Sequence, residues 1–165
     1  MQRSQIMKKN IRTVLLGQLL IVVLVFIFLI AMASAGMSAA LWFIDLPSLV
    51  TLLLILIPGL IMMGEWKDFI KAFSVGIRKY SLLELKNIIE AVAAAQKLTV
   101  FGALFAVIIS GVLILGQIND LDSLGRNFAV CFLVGLYAVI IEFFLLPLRL
   151  NAERKMNEEM DFEDE

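Results

Sequence analysis

Four long apolar runs, separated by polar segments, dominate the sequence. They cover about residues 13–37, 41–63, 98–115 and 128–148. A run of about 18 or more apolar residues with almost no charge is long enough for an α-helix to cross a bilayer. The pattern therefore predicts an all-α integral membrane protein, in which a single membrane domain over residues 1–165 is built from four transmembrane helices.

The first apolar run also has some features of a secretory signal peptide. A basic head precedes it, and Ala31, Ala33 and Ala35 lie near its end in the pattern of a small-residue cleavage site. The run is longer than the apolar core of a typical signal peptide, and further apolar runs follow it. We therefore expect a retained first helix.

The polar segment 65–97, between the second and third runs, has helical periodicity. From Trp66 to Ile77 apolar residues recur at steps of three and four, and charged residues occupy the other faces. Ser81 followed by Glu84 is a capping-box pattern, which marks the start of another helix. The segment is predicted to form short amphipathic helices. The pattern leaves open whether they lie along the membrane surface or project below it.

The basic residues are distributed unevenly between the two sides of the predicted spans. Of the 14 Lys and Arg residues, 13 lie in the N-terminal segment, the 65–97 segment or the C-terminal segment, and Arg126 is the exception. Basic residues are enriched in cytoplasmic loops. This bias predicts that both termini are cytoplasmic. The acidic tail 151–165 has too little apolar surface to fold alone, and we expect its end to be disordered.

Composition supports the membrane assignment and argues against an enzyme. The chain is 61% hydrophobic and 18% charged, against about 45–50% and about 25% for a soluble domain. It has no histidine and a single cysteine, Cys131, so neither a disulfide within the chain nor a histidine-based catalytic pair is available. No phosphate-binding loop or paired-cysteine metal motif is present. We expect no enzymatic activity, no cofactor, no metal site and no nucleic-acid partner.

Glu142 is the sharpest candidate for a functional group. A carboxylate inside a spanning helix is costly and usually faces a bundle interior or water, so it could handle a proton or another ion. The alternative is structural, because Glu142 lies near the cytoplasmic end of its span. There it would reach the membrane surface or pair with Arg149, two turns further on.

Other polar or small residues have simpler structural interpretations. Asp45, followed by Pro47 and Ser48, is typical of a helix start, and Asp120 is expected in a solvated turn. Small residues on the last two spans let helices approach closely, which predicts tight packing between those spans. They are Gly102, Ala103, Ala106, Ser110, Gly111, Gly116, Ala129, Gly135 and Ala138.

Two stretches resemble the MotA/TolQ/ExbB proton channel family, most closely a shortened subunit of the MotA flagellar-stator type. The first reads FIDLPSL at the start of span two and is followed by KDFIKAF after the span. The second reads LILGQINDLDSLGRNFAVCFLVGLYAVIIEFFLLP over residues 113–147. The residues that match the family motifs include Asp45, Pro47, Ser48, Asp120, Gly125, Tyr137 and Pro147.

The resemblance implies an assembly and a function. Members form pentamers in the bacterial inner membrane, and their third and fourth spans line a pore. The pore holds the spanning helices of a MotB-like partner, whose aspartate carries the ion. By this resemblance the chain would be a ring-forming subunit of an ion-driven, most simply proton-driven, motor or energy-transducing channel. Val107, Gly135 and Glu142 would line its pore, and lipid would surround the ring.

The chain also departs from the family pattern. MotA carries a large cytoplasmic insert between spans two and three that engages the flagellar rotor, and only the short 65–97 segment is present here. Val107 and Gly135 align with family threonines, and a ring of valines would disfavour an ion. Two alternatives therefore remain. One is a nonconducting membrane scaffold of MotA-like fold, and the other is a small proton-coupled transporter that uses Glu142.

Overall fold

The computed structural model describes residues 11–32, 41, 43–75, 77–116 and 121–163 of the chain. In these residues it contains five α-helices and no strand, apart from an isolated bridge between Val75 and Arg78. The helices are α1 (Ile11–Met32), α2 (Leu46–Met62), α3 (Trp66–Ala72), α4 (Leu82–Gly116) and α5 (Leu121–Glu163). The predicted all-α class is therefore confirmed for the described part of the chain.

Three helical segments are long and apolar enough to cross a membrane. They are Thr13–Ala31, Leu82–Gly116 and Asn127–Asp161. Helix α2 has 17 residues, which is the short end of the range for a spanning helix, about 17–25 residues. It passes the same test only together with α3, and the two are bent by 111°. By length and composition the described residues thus provide three spans, or four if α2 and α3 are counted as one.

The start of α2 is the one that the sequence predicted. Asp45 is its N-cap, and the Asp45 carboxylate accepts a hydrogen bond from the Ser48 backbone N–H at 3.1 Å and another from the Ser48 hydroxyl. Pro47 lies in the first turn, where no backbone N–H is needed. At the other end, Gly64 has a φ of 79°, a left-handed conformation that favours glycine and ends the helix.

Helix α3 is shorter than its periodicity predicted. It ends at Ala72, so Ile77 lies outside it. The Ser74 hydroxyl donates to the Lys71 carbonyl at 2.9 Å, and the Asn151 side chain donates to the Val75 carbonyl at 3.1 Å. These bonds satisfy backbone groups that a longer helix would have used, which explains the early end.

Helix α4 joins two elements that the sequence analysis treated as separate. The predicted cytoplasmic helix and the third span form one helix of 35 residues. The capping box at its start is confirmed, because the Ser81 N–H donates to the Glu84 carboxylate at 3.0 Å and the Glu84 N–H donates to the Ser81 hydroxyl at 3.4 Å. No glycine or proline occurs between Leu82 and Phe101, so nothing in the sequence ends the helix at the membrane boundary.

Helix α5 extends well past the fourth predicted span. It has 43 residues and continues into the acidic tail as far as Glu163, whereas the sequence predicts disorder at the end of that tail. The prediction considered the tail alone, but the structure gives its first turns partners. Ala152 is fully buried, Met156 packs against the same cluster, and Arg149 pairs with Glu153 at 2.8 Å. Pro147 lies inside the helix without ending it.

The core consists of two clusters of buried side chains along the α4–α5 pair. The larger cluster joins the end of α2, helix α3, the first half of α4 and the second half of α5, with Leu60, Ile88 and Leu148 almost fully buried. The smaller one contains Leu52, Ala103, Ala106, Val134 and Ala138. Outside these clusters, α1 and much of α4 and α5 expose large apolar side chains, as expected for helices that face lipid.

Candidate functional site

Helix α5 is joined to the start of α2 by the hydroxyl group of Tyr137. This hydroxyl donates to the Phe43 carbonyl and accepts from the Asp45 N–H, both at 2.7 Å. Phe43 also packs edge-on against Phe26 of α1, with ring centroids 5.4 Å apart. The contact brings Asp45 and Tyr137, which are 92 residues apart in the chain, into one polar cluster.

A second polar contact joins α4 to α5, next to the larger core cluster. The Gln96 side-chain amide of α4 donates to Oε2 of Glu142 at 3.0 Å. The other carboxylate oxygen, Oε1, is buried and has no hydrogen-bond partner among the described residues. A buried carboxylate oxygen without a donor is costly, so Glu142 presents an acceptor that a proton or a donor from outside the described chain could use.

The structure does not bear out the proposed direct pairing of Glu142 with Arg149. Arg149 Nε instead donates to the Glu153 carboxylate at 2.8 Å, and Arg149 Nη1 donates to the side-chain oxygen Oε1 of Gln96 at 3.5 Å. Gln96 therefore connects the two charged residues, with its amide nitrogen directed to Glu142 and its oxygen to Arg149. We call Gln96, Glu142, Arg149 and Glu153 the polar bridge.

The two other candidate pore residues carry no polar side-chain group. Val107 is half-buried and follows Ala106, which belongs to the smaller core cluster. Gly135 is also half-buried, but a Cβ atom built on it would meet nothing within 4 Å. Gly135 and Glu142 are seven residues apart on α5, two helical turns, and so share one face of that helix. Neither Val107 nor Gly135 offers a group that binds an ion.

The remaining motif residues are dispersed. Gly125 is exposed near the start of α5, with open space around it. Pro147 lies inside α5, between Leu145 and Leu148 of the larger core cluster. Asp120 falls outside the described residues. Thus Asp45, Ser48 and Tyr137 come together, whereas Gly125 and Pro147 are separate from them.

The prediction from small residues is correct for only some of them. Ala103, Ala106 and Ala138 do lie at the α4–α5 contact. Gly102 instead faces α2, where an added Cβ would lie 3.3 Å from Ile55 Cγ2. Gly111, Gly116 and Gly135 have nothing within 4 Å of that position. The helix α2 approaches α4 through Gly102 and also through Gly59, which lies against Leu98.

Sequence reasoning missed Gln96 and Gln18. Gln96 was counted as part of a polar surface helix, and Gln18 as part of an apolar run. Gln18 of α1 donates to the Phe143 carbonyl of α5 at 2.7 Å, and its own Oε1 is buried without a partner among the described residues. A lone amide within an apolar run is the signal that would have found it, because such groups form hydrogen bonds between membrane helices.

The fold and the site together define an all-helical protein with helices of membrane-spanning length and a carboxylate–amide contact between its two longest helices. No group of three or more potential metal-ligating side chains is found in the part of the chain that the structure describes. No family model, no curated protein and no solved structure matches the chain.

Proposed function

We propose that this chain is a MotA-like, ring-forming membrane subunit of an ion-driven motor or energy-transducing channel. In this proposal it forms a pentamer in the bacterial inner membrane with both termini in the cytoplasm. A MotB-like partner would place one spanning helix with an aspartate in the ring, and a proton is the ion that a carboxylate pair most simply exchanges. The chain itself needs no catalytic group.

The observation that carries the proposal is the Tyr137 contact. The two stretches that resemble the family are far apart in the sequence, and the Tyr137 hydroxyl joins them by bonds to Phe43 and Asp45, each 2.7 Å long. Motif residues that hold each other in place are expected if both motifs serve one fold. The packing of α4 along α5, which forms both core clusters, also supports the proposal, since these two helices are the ones that would line a pore.

Glu142 would be the proton-handling group of this chain. It lies between the two helices concerned, keeps one carboxylate oxygen without a partner among the described residues, and shares a helical face with Gly135. Because Val107 and Gly135 offer no ligand, passage of a proton would depend on Glu142 together with the partner's aspartate. Engagement of a flagellar rotor is not part of the proposal, because the chain between α2 and α4 is short.

The nonconducting scaffold is the second candidate. The apolar side chain of Val107, in the half of α4 away from Glu142, favours it, since a ring of such groups forms a dry constriction. The transporter is a further candidate, favoured by the Glu142 carboxylate oxygen that has no partner among the described residues. The described residues form an open apolar groove of about 540 Å³ beside Ile55, Phe101 and Phe105, which provides no polar group to bind a solute.

Two measurements test the proposal. Cryo-EM of the protein in lipid nanodiscs, with its co-purifying partner, should reveal a five-fold ring around a partner helix. Liposomes that contain both proteins should then take up protons. Glu142→Gln should reduce this proton flux by at least the same factor as it reduces any motion that the flux drives through the partner. The matched control is Glu159→Gln, an exposed acid near the end of the same helix, which should leave the flux unchanged.

The outcomes separate the candidates. A ring with a partner helix but no flux supports the scaffold. A monomer or two-fold dimer contradicts the MotA-like assembly, and Glu142-dependent transport without a partner would then support the transporter.

A further inference from the structure

Exposed apolar side chains recur from the end of α2, through α3 and the connection that follows it, to the start of α4. In an ordinary cytosolic segment such large side chains would rarely cluster at the surface. Their exposed fractions range from 44% to 87%, and they are Met62, Met63, Ile70, Phe73, Ile77 and Leu83. We call these residues, together with Trp66 and the basic residues Lys67, Arg78 and Lys79, the corner surface.

The direction of α3 places this surface at the end of a span. Helix α3 is bent by 111° from α2, so when α2 crosses the bilayer, α3 runs nearly parallel to the membrane plane. It is held there by Phe69, Ala72 and Val75, which are buried in the core cluster shared with α4 and α5. The helix is therefore fixed on the protein by one face, and its other side chains are exposed or half-buried.

The other side chains of α3 are divided into an apolar flank and a charged flank. Ile70 and the C-cap residue Phe73 form one flank together with Trp66, which is half-buried and packs in part against the core cluster. Lys67 and Lys71 are four residues apart on another flank. Lys71 pairs with Asp68 at 2.7 Å and lies 4.0 Å from Glu84, and the Asp68 carboxylate raises the pKa of its ammonium group. Lys67, Arg78 and Lys79 are exposed.

We propose that the corner surface binds the headgroup region of an anionic phospholipid bilayer. An apolar flank next to exposed basic residues matches the boundary between acyl chains and anionic headgroups, and Trp66 supplies an indole ring, a group that is enriched at membrane interfaces. Burial raises the pKa of Glu65 at this corner, with Asp68 and Glu90 adding to it. The proposal requires only that α2 crosses the membrane, and so it is independent of ring formation and ion flow.

Fluorescence quenching of Trp66 tests the contact with lipid. The chain has two tryptophans, so Trp42→Phe leaves Trp66 as the only indole. This variant is reconstituted in vesicles whose lipids carry bromine near the headgroup end of the acyl chains, and separately exposed to aqueous iodide. We expect strong quenching by the brominated lipid and weak quenching by iodide. Strong quenching by iodide alone would overturn the proposal, and so would protection from both quenchers, because the exposed side of this half-buried ring would then not face lipid.

The preference for anionic lipid is tested by removing the basic groups. The full-length triple variant Lys67→Gln/Arg78→Gln/Lys79→Gln should lose most of the phosphatidylglycerol that native mass spectrometry finds on the wild type from mixed phosphatidylcholine–phosphatidylglycerol vesicles. The matched control is Lys8→Gln/Lys9→Gln/Arg12→Gln, which removes the same charge from the N-terminal segment, outside the corner surface, and should retain the lipid. Equal loss in both variants would overturn the proposal, because it would mean that overall charge alone attracts the lipid.

Discussion

Single side chains connect the helices of this protein at a few polar contacts within an otherwise apolar structure. Tyr137 uses one hydroxyl group to satisfy two backbone groups before α2, and Gln96 uses both ends of its amide to reach Glu142 and Arg149. In an apolar environment the loss of one partner leaves the other buried and unpaired. The effects of substitution at these sites should therefore exceed those at exposed polar positions.

Tyr137→Phe should lower the free energy of unfolding by about 1–3 kcal/mol, because the Phe43 carbonyl and the Asp45 N–H lose their shared partner. Chemical unfolding in mixed detergent micelles measures this. The chain's other tyrosine is the control, since Tyr80 makes a hydroxyl–hydroxyl contact with Ser74 at 2.7 Å in the α3–α4 connection. Tyr80→Phe should cost less. An equal or larger cost there would contradict the importance of the Tyr137 contact.

Gln96→Leu should also destabilise the protein by about 1–3 kcal/mol, because it leaves the Glu142 carboxylate without its donor. The double variant Gln96→Leu/Glu142→Leu should regain most of that stability, since the unpaired charge is gone as well. A double-mutant cycle in the same micelles measures the coupling between the two residues. Additive effects would show that the polar bridge does not connect them energetically.

At the scale of helices, the close approach of α2 to α4 depends on glycine. Gly102 lies against Ile55 and Gly59 lies against Leu98, so the two helices meet where side chains are smallest. Helix α4 has glycines with very different surroundings, because nothing lies within 4 Å of the Cβ position at Gly111. The two positions offer a matched comparison within one helix.

Gly102→Val should destabilise the protein by about 1–3 kcal/mol more than Gly111→Val, because only the first forces α2 and α4 apart. Both substitutions change the intrinsic helix preference in the same way, so the difference isolates the contact. Unfolding measurements on the two variants, with circular dichroism to verify retained helix, provide the test. Equal effects would mean that α2 is free to move away from α4 without cost.

The whole molecule is packed unevenly along its length. The larger core cluster lies where α2, α3, α4 and α5 all meet, and Ile88, Ala91, Val92 and Ala95 are fully buried there. The other half has a smaller cluster and exposes large apolar side chains such as Phe105, Ile108 and Phe132. Such a distribution suits a protein whose one end is self-contained and whose other end is surrounded by lipid or by further subunits.

Hydrogen exchange should reflect this distribution along α4 and α5. We expect slow exchange over residues 85–95, which include buried residues of the larger core cluster, and fast exchange over 157–163, because no described residue after Met156 packs against that cluster. Ile88→Ala, which removes a fully buried side chain, should cost about 2–5 kcal/mol and speed exchange in α4 and α5 together. Leu83→Ala, at a side chain that is 69% exposed, is the control. Faster exchange in α4 alone would contradict a shared core.

The sequence by itself determined the features that depend on neighbouring residues. Run length and charge identified the apolar helices, and spacing of three residues identified the Asp45 cap and the Ser81–Glu84 capping box, because these interactions form within one turn. Only the tertiary structure decided what lies across the helices. It joined the segment 82–97 to the third span, extended α5 into the acidic tail, and bent α3 away from the direction of α2. It also gave Glu142 the partner Gln96, 46 residues away, because that contact depends on how two helices pack and not on any local pattern.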